Sequence, residues 1–297
     1  PLAFVGVTLF FIAYGQQLSG ALLTPPQFGI VWSVLGIVHL ITAALLDRNR
    51  ARYSHGLYLG GYALAAFAVL WTLIEREVLL WTLGLGIAAA LGSALLVHFN
   101  RHWTWDQLIH VFFGPKASTL RTVARGAFLW IAVWPIPVWC VLLLLQLNVA
   151  DGFYWLGFGL PALLLLVLGI WLRRFERTYA WPLNTASHFY TLAGLAVSAP
   201  LTLRWMAGNF AQPGVPFEIT RLTVIGFIIL QTVAVGFYAA SARTFGWRLF
   251  AYVAAWLSFI PYTLALARFT DLPAMQFGVL WSALAIAHLV IAVLLDR

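Results

Sequence analysis

Along the whole chain, apolar runs of 18 or more residues alternate with short polar segments, and this spacing is that of helices crossing a bilayer. At 1.5 Å per residue, such a run spans a hydrocarbon core of roughly 30 Å. Membrane helices are predicted at 3–23, 27–46, 56–75, 78–98, 127–147, 153–172, 189–207, 219–241, 248–268 and 275–295. The joints carry turn chemistry: Thr24-Pro25-Pro26 and Asp151-Gly152 are tight, and Gly208 to Pro216 is a longer polar connection. The expected fold is therefore all-α, a polytopic integral membrane protein of about ten transmembrane helices.

One pattern repeats. Residues 27–48 read QFGIVWSVLGIVHLITAALLDR and residues 276–297 read QFGVLWSALAIAHLVIAVLLDR, with 14 of 22 positions identical at an offset of 249. A fainter copy lies halfway, where 153–179 echoes 28–53, and a Ser-His pair follows both, at Ser54-His55 and Ser187-His188. The simplest unit has four helices, which gives tandem units at 1–125, 126–247 and 248–297. An even number of spans separates equivalent helices, so the units share one topology and are not inverted. The last unit stops after its second helix and Pro1 is not an initiator methionine, so the chain is expected to be a window on a longer protein.

Composition agrees with a lipid solvent. Hydrophobic residues make up 63% of the chain and charged residues 9%, too little polar surface to cover a water-soluble domain. The net charge of +8 comes almost wholly from arginine in short loops, a pattern that orients spans and does not suggest nucleic acid. Of 17 basic residues, 13 fall after even-numbered spans and 4 (Arg76, Arg204, Arg221, Arg268) on the opposite side. The loops after spans two, four, six, eight and ten are thus expected to be cytoplasmic. Cys140 is the single cysteine, so neither an intrachain disulfide nor a thiolate cluster is available.

Candidate chemistry is sparse. Every carboxylate, from Asp47 to Asp296, falls at a helix end or in a loop, which counts against an ion-coupled carrier. His39 and His288 occupy equivalent repeat positions near mid-span, each with a small residue (Gly36, Ala285) three places earlier. That arrangement leaves room for a flat macrocycle, haem or chlorophyll, ligated through the imidazole. The competing reading is a pair of buried structural histidines bonded to neighbouring helices. His98, His102, Asp106 and His110 follow one another at i, i+4 spacing, as metal ligands on one helix face would. Interleaved Trp103, Trp105, Leu108, Ile109, Phe112 and Phe113 instead favour an amphipathic interfacial helix at 101–114. Tryptophans near span ends fit aromatic belts, and Pro135, Pro137 and Pro261 predict kinks. The sequence carries no phosphate-binding glycine loop, HExxH, nucleophile elbow or CxxC.

Three classes of function remain open. The first is a non-catalytic membrane scaffold or subunit, whose partners are the bilayer and other membrane subunits or further repeats of the same chain. The second is a transporter or flippase for a lipid or other apolar substrate. The third is a cofactor-binding membrane protein or membrane enzyme.

Overall fold

A computed structural model describes residues 24–47, 51–73, 75–99, 126–211, 221–270 and 274–295, together with 102, 104–107, 110 and isolated positions 9, 13, 15 and 17. Among the described residues the fold is all-helical and has no strand. The helices are α1 (Pro25–Asp47), α2 (Ala51–Thr72), α3 (Arg76–His98), α4 (Ala127–Val133), α5 (Ile136–Gln146), α6 (Leu156–Leu172), α7 (Arg177–Ala211), α8 (Arg221–Phe245), α9 (Arg248–Phe269) and α10 (Ala274–Leu295). A single 3-10 turn, Asp151–Phe153, precedes α6. Most of the span expected at 3–23, residues 212–216 of the polar connection and most of the helix expected at 101–114 lie outside the described residues.

Five helical stretches are long and apolar enough to cross a membrane: Pro26–Asp47, Val78–His98, Ala127–Gln146, Thr223–Phe245 and Arg248–Phe269. Their outward faces are apolar as well, with Leu45, Trp81 and Trp256 more than two-thirds exposed. Only a lipid surround makes such exposure favourable over so many residues. The chain thus has the character of a multi-pass membrane protein. The helix expected at 189–207 is the central part of the 35-residue α7, about 52 Å long and longer than a bilayer core requires.

The helices form two compact units, Pro1–Leu143 with Trp171–Leu183, and Leu144–Ile170 with Asn184–Arg297. In the first, α1 and α2 are an antiparallel pair held by close backbone approach. A methyl group added at Gly36 would meet the Gly61 carbonyl at 3.1 Å and the Ala65 nitrogen at 3.3 Å, so the two helices touch where side chains are missing. Trp32 packs with Leu64 and Ala68 on one side of this contact, and Leu40 with Ala43 and Tyr58 on the other. Helix α3 joins through hydroxyls: Thr72 Oγ1 lies 2.8 Å from Thr82 Oγ1, and Tyr62 donates to Ser93 at 2.7 Å.

The fifth predicted span is broken. A turn at Trp134-Pro135 separates α4 from α5, because a proline lacks the N–H that would bond the carbonyl four residues back, here Ile131. Pro261 and Pro161, by contrast, sit inside α9 and α6 without interrupting them.

In the second unit, Val224 and Phe227 of α8 pack with Leu264 of α9, and Trp155 lies against Phe227. Gly246, with a positive φ of 68°, makes the sharp turn between α8 and α9.

Candidate functional site

The distinctive polar cluster sits at the end of the α1–α2 pair. Asp47 closes α1 and is fully buried, which is costly for a carboxylate unless donors surround it. Ser54, one turn into α2, donates to Asp47 Oδ1 at 2.8 Å. The remaining donors come from the segment after α3: the Thr104 hydroxyl gives a 2.5 Å bond to Oδ1, and the Thr104 backbone N–H reaches Oδ1 at 3.1 Å and Oδ2 at 3.3 Å. Since Thr104 spends its proton on the carboxylate, His55 Nδ1 must be the donor in the 2.9 Å contact with Thr104 Oγ1. His55 Nε2 pairs with the Gln107 side-chain amide at 3.0 Å.

His102 anchors the same segment differently. Its Nδ1 accepts the Trp105 backbone N–H at 3.0 Å, three residues on, so His102 caps the helical turn at 104–107 much as an Asn or Asp would. With Nδ1 an acceptor, the ring proton lies on Nε2 and points to Tyr62 OH at 3.3 Å. The relay continues from Tyr62 OH to Ser93 Oγ at 2.7 Å and from Ser93 Oγ to the Ala89 carbonyl at 2.8 Å. The His102 ring is stacked on Tyr58 at 4.0 Å and on Phe128 at 5.7 Å. Burial lowers its pKa to about 4, against a smaller opposing pull from the Asp47 charge, so the imidazole is neutral at physiological pH.

This cluster forms one end of a chamber of about 940 Å³ between α2, α3 and the α4–α5 break. The body of the chamber is apolar, with Leu59, Ala66, Val69, Leu83 and Ile87 on its walls, and among the described residues its polar side chains are His55, Tyr58, Tyr62, His102, Thr104 and Trp105. Ile131 and Pro135 also line it, so the proline break contributes to its concavity. Gly86 faces it across open space, since an added methyl there would meet nothing within 4 Å. The volume lies near the top of the range for small-molecule pockets.

The residues proposed from sequence are not brought together. His39 is buried, and its Nδ1–H donates to the Leu35 carbonyl of its own helix at 2.7 Å. The space beside Gly36, one turn before it, is filled by the backbone of α2, so a flat macrocycle has no room there. His288 Nδ1 makes the matching bond to Leu284 O at 2.8 Å, and its Nε2 lies 3.0 Å from Ser258 Oγ. His98 ends α3 and contacts Tyr179 OH at 3.3 Å, whereas His102 faces Tyr62 and His110 is exposed. Asp106 only continues the turn, its N–H bonding the His102 carbonyl at 3.3 Å. Among the described residues no three His, Cys, Asp or Glu side chains converge as a metal site needs.

Sequence reasoning missed Asp47, Thr104, Tyr58 and Tyr62 as members of a site. The available signals were Asp47 at the end of the second predicted span and the Ser54-His55 pair, whose side chains prove to belong to the cluster. The chain matches no protein-family model, no curated protein and no solved structure.

Proposed function

We propose that the chain contributes about ten spans, in tandem four-helix units (1–125, 126–247 and the start of a third at 248–297), to a membrane protein that takes a lipid-like apolar molecule into the chamber of its first unit. This is the transporter or flippase reading, and the observation that carries it is the apolar chamber with one polar end. With arginine-rich loops on the cytoplasmic side, the Asp47–Thr104 end of the chamber lies toward the cytoplasm. The test is plugging. Phe substituted for Gly86 is expected to obstruct the chamber, because Gly86 lines it and a Cβ there meets nothing within 4 Å. Wild-type protein purified into nanodiscs is expected to retain a lipid-like molecule detectable by mass spectrometry, and to move a fluorescent lipid analogue between liposome leaflets. Both properties should be lost in Gly86→Phe; equal retention and flux in the two proteins refutes the proposal.

A specific observation also supports the subunit reading. The repeat motif that grips α2 in α1 is repeated in α10, yet there it is uncovered: Trp281 is 39% exposed against 5% for Trp32, and Leu289 67% against 9% for Leu40. Gly278 meets nothing, whereas its counterpart Gly29 is pressed against Thr72. A stripe of small and hydroxyl residues of this kind is a helix-packing surface, so we place a helix from a further repeat or another subunit on it. A photo-crosslinker at position 285 in native membranes is expected to give a protein adduct of defined mass. Adducts to lipid alone would remove this reading.

A further inference from the structure

The chamber's walls also record how a molecule reaches it, an inference that rests on reading it as a lipid site. A lining residue that is buried closes the chamber, and one that is itself exposed marks where it opens. On α3 the lining is closed: Leu83 and Ala90 are buried, and Gly86 and Ile87 are only half-exposed. On α2 it is not. Leu59 is 47% exposed, Ala66 is exposed and Leu70 is 64% exposed, although all three line the chamber. Steps of seven and then four residues keep them on one edge of the helix. At 1.5 Å per residue that edge runs about 16 Å, roughly half the depth of a hydrocarbon core.

The facing edge comes from α4. Phe128 lies 5.5 Å from Tyr62, which brings α4 alongside α2. Ile131, one turn further along α4, lines the chamber and is 61% exposed. The four exposed residues of the described lining are therefore all apolar. A mouth onto water would be rimmed by polar side chains, whereas an apolar rim within a membrane span suits acyl chains. At the polar end, by contrast, His102 and Thr104 are buried, and His55 is held by Thr104 and Gln107. The open edge also continues into the lipid-facing surface of α2, where Phe67 and Trp71 are exposed beside it.

We propose that the chamber opens sideways into the bilayer through an apolar slit between α2 and α4, and that its ligand is a membrane lipid whose acyl chain passes between Leu59, Ala66 and Leu70 on one side and Ile131 on the other. The ligand is drawn from the hydrocarbon phase and crosses no aqueous vestibule.

The experiment places a bimane fluorophore on Gly86→Cys of the full chain, in a Cys140→Ser background, reconstituted in phosphatidylcholine liposomes. Two quenchers are compared: phosphatidylcholine brominated on its acyl chains, and iodide in the water. The brominated lipid is expected to quench the fluorophore and iodide is not. Ala66→Phe combined with Ile131→Phe narrows the slit with side chains that lipid tolerates, so the protein should melt as before while quenching by brominated lipid is lost. Leu164→Phe, at an exposed position of α6 outside the chamber lining, should leave that quenching unchanged. Quenching by iodide at least as strong as by brominated lipid, quenching by neither, or quenching by brominated lipid that survives the slit variant overturns the proposal. In those cases lipid retained by the wild type and lost in Gly86→Phe leaves the chamber reading standing, whereas equal retention by the two proteins removes that reading whatever the quenching shows.

Discussion

Acid should release the segment that closes the chamber, and His102 sets where. In the folded protein its Nδ1 accepts the Trp105 N–H, so a second ring proton would have to point at a donor. Protonation therefore cancels the cap. Burial, the largest effect, brings the folded pKa to about 4, with the Asp47 charge and a backbone hydrogen bond pulling upward and His55 downward, against 6.5 for an unperturbed imidazole. The sign follows from proton counting. Between pH 6.5 and 4 the opened segment binds a proton that the closed one does not, so the closed form is favoured fully above pH 6.5 and loses ground as pH falls toward 4. A difference of about 2.5 units at 1.36 kcal/mol each gives a loss of about 3 kcal/mol across that window. Hydrogen exchange of the amides at 104–107 in nanodiscs reads this directly. Protection should fall roughly a hundredfold from pH 7 to pH 4, after correction for the intrinsic exchange rate. His102→Asn retains a capping acceptor but does not titrate in this range, so its corrected protection should be flat. The same pH dependence in both proteins would show that His102 is not the group responsible.

Three further outcomes are expected. Gly29→Ala and Gly278→Ala change equivalent positions of one repeated motif but should have opposite effects: the new methyl at 29 runs into Thr72, whose hydroxyl is tied to Ala68 O and Thr82, and costs about 1–2 kcal/mol net of improved helix propensity. At 278 the methyl meets nothing, and unfolding in detergent mixtures should show a gain of up to about 1 kcal/mol. Thr104→Val keeps the backbone donor to Asp47 but removes a charge-assisted hydroxyl bond and the acceptor for His55, which should cost about 2–3 kcal/mol of local stability by hydrogen exchange, with Thr104→Ser nearly neutral. Tyr58→Phe and Trp105→Phe delete donors that lack partners, so the ligand-free proteins should melt no lower than wild type; a loss above about 1 kcal/mol in either would show that the group already has a partner.

The all-helical character and the five long apolar stretches were legible in the sequence because crossing a bilayer needs sustained apolar length, a property that survives substitution. Pro135 gave warning of the break between α4 and α5, whereas nothing in hydropathy marked the early start of α7 at Arg177. The candidate site was largely illegible, and for a definable reason. Asp47 looks like any loop carboxylate at the end of a span, and its burial arises only because Thr104, 57 residues away, folds onto it. The i, i+4 series His98, His102, Asp106 and His110 presupposed one continuous helix. In fact α3 ends at His98 and a new turn is capped by His102, so the four side chains lose their common face. Spacing arguments fail wherever a cap resets the helical phase.

The two Ser-His pairs show how similar local sequence is put to different use. In the second unit Ser187 is buried as Ser54 is, but the chain passes from α8 to α9 through Gly246 and Trp247 alone. No polar segment is available there to reach the histidine. The Phe250 ring instead stacks on His188 at 4.8 Å, with Trp247 stacked on Phe250 in turn at 5.7 Å. In the first unit the long connection after α3 supplies Thr104 and Gln107 to His55, and His102 to Tyr62. An aromatic ring satisfies the face of an imidazole but offers nothing directional, whereas a polar segment held over a carboxylate brings His102, Thr104 and Trp105 into the chamber lining. The long connection between α3 and α4 is accordingly the feature that distinguishes the polar-ended chamber of the first unit from the aromatic packing around His188 in the second.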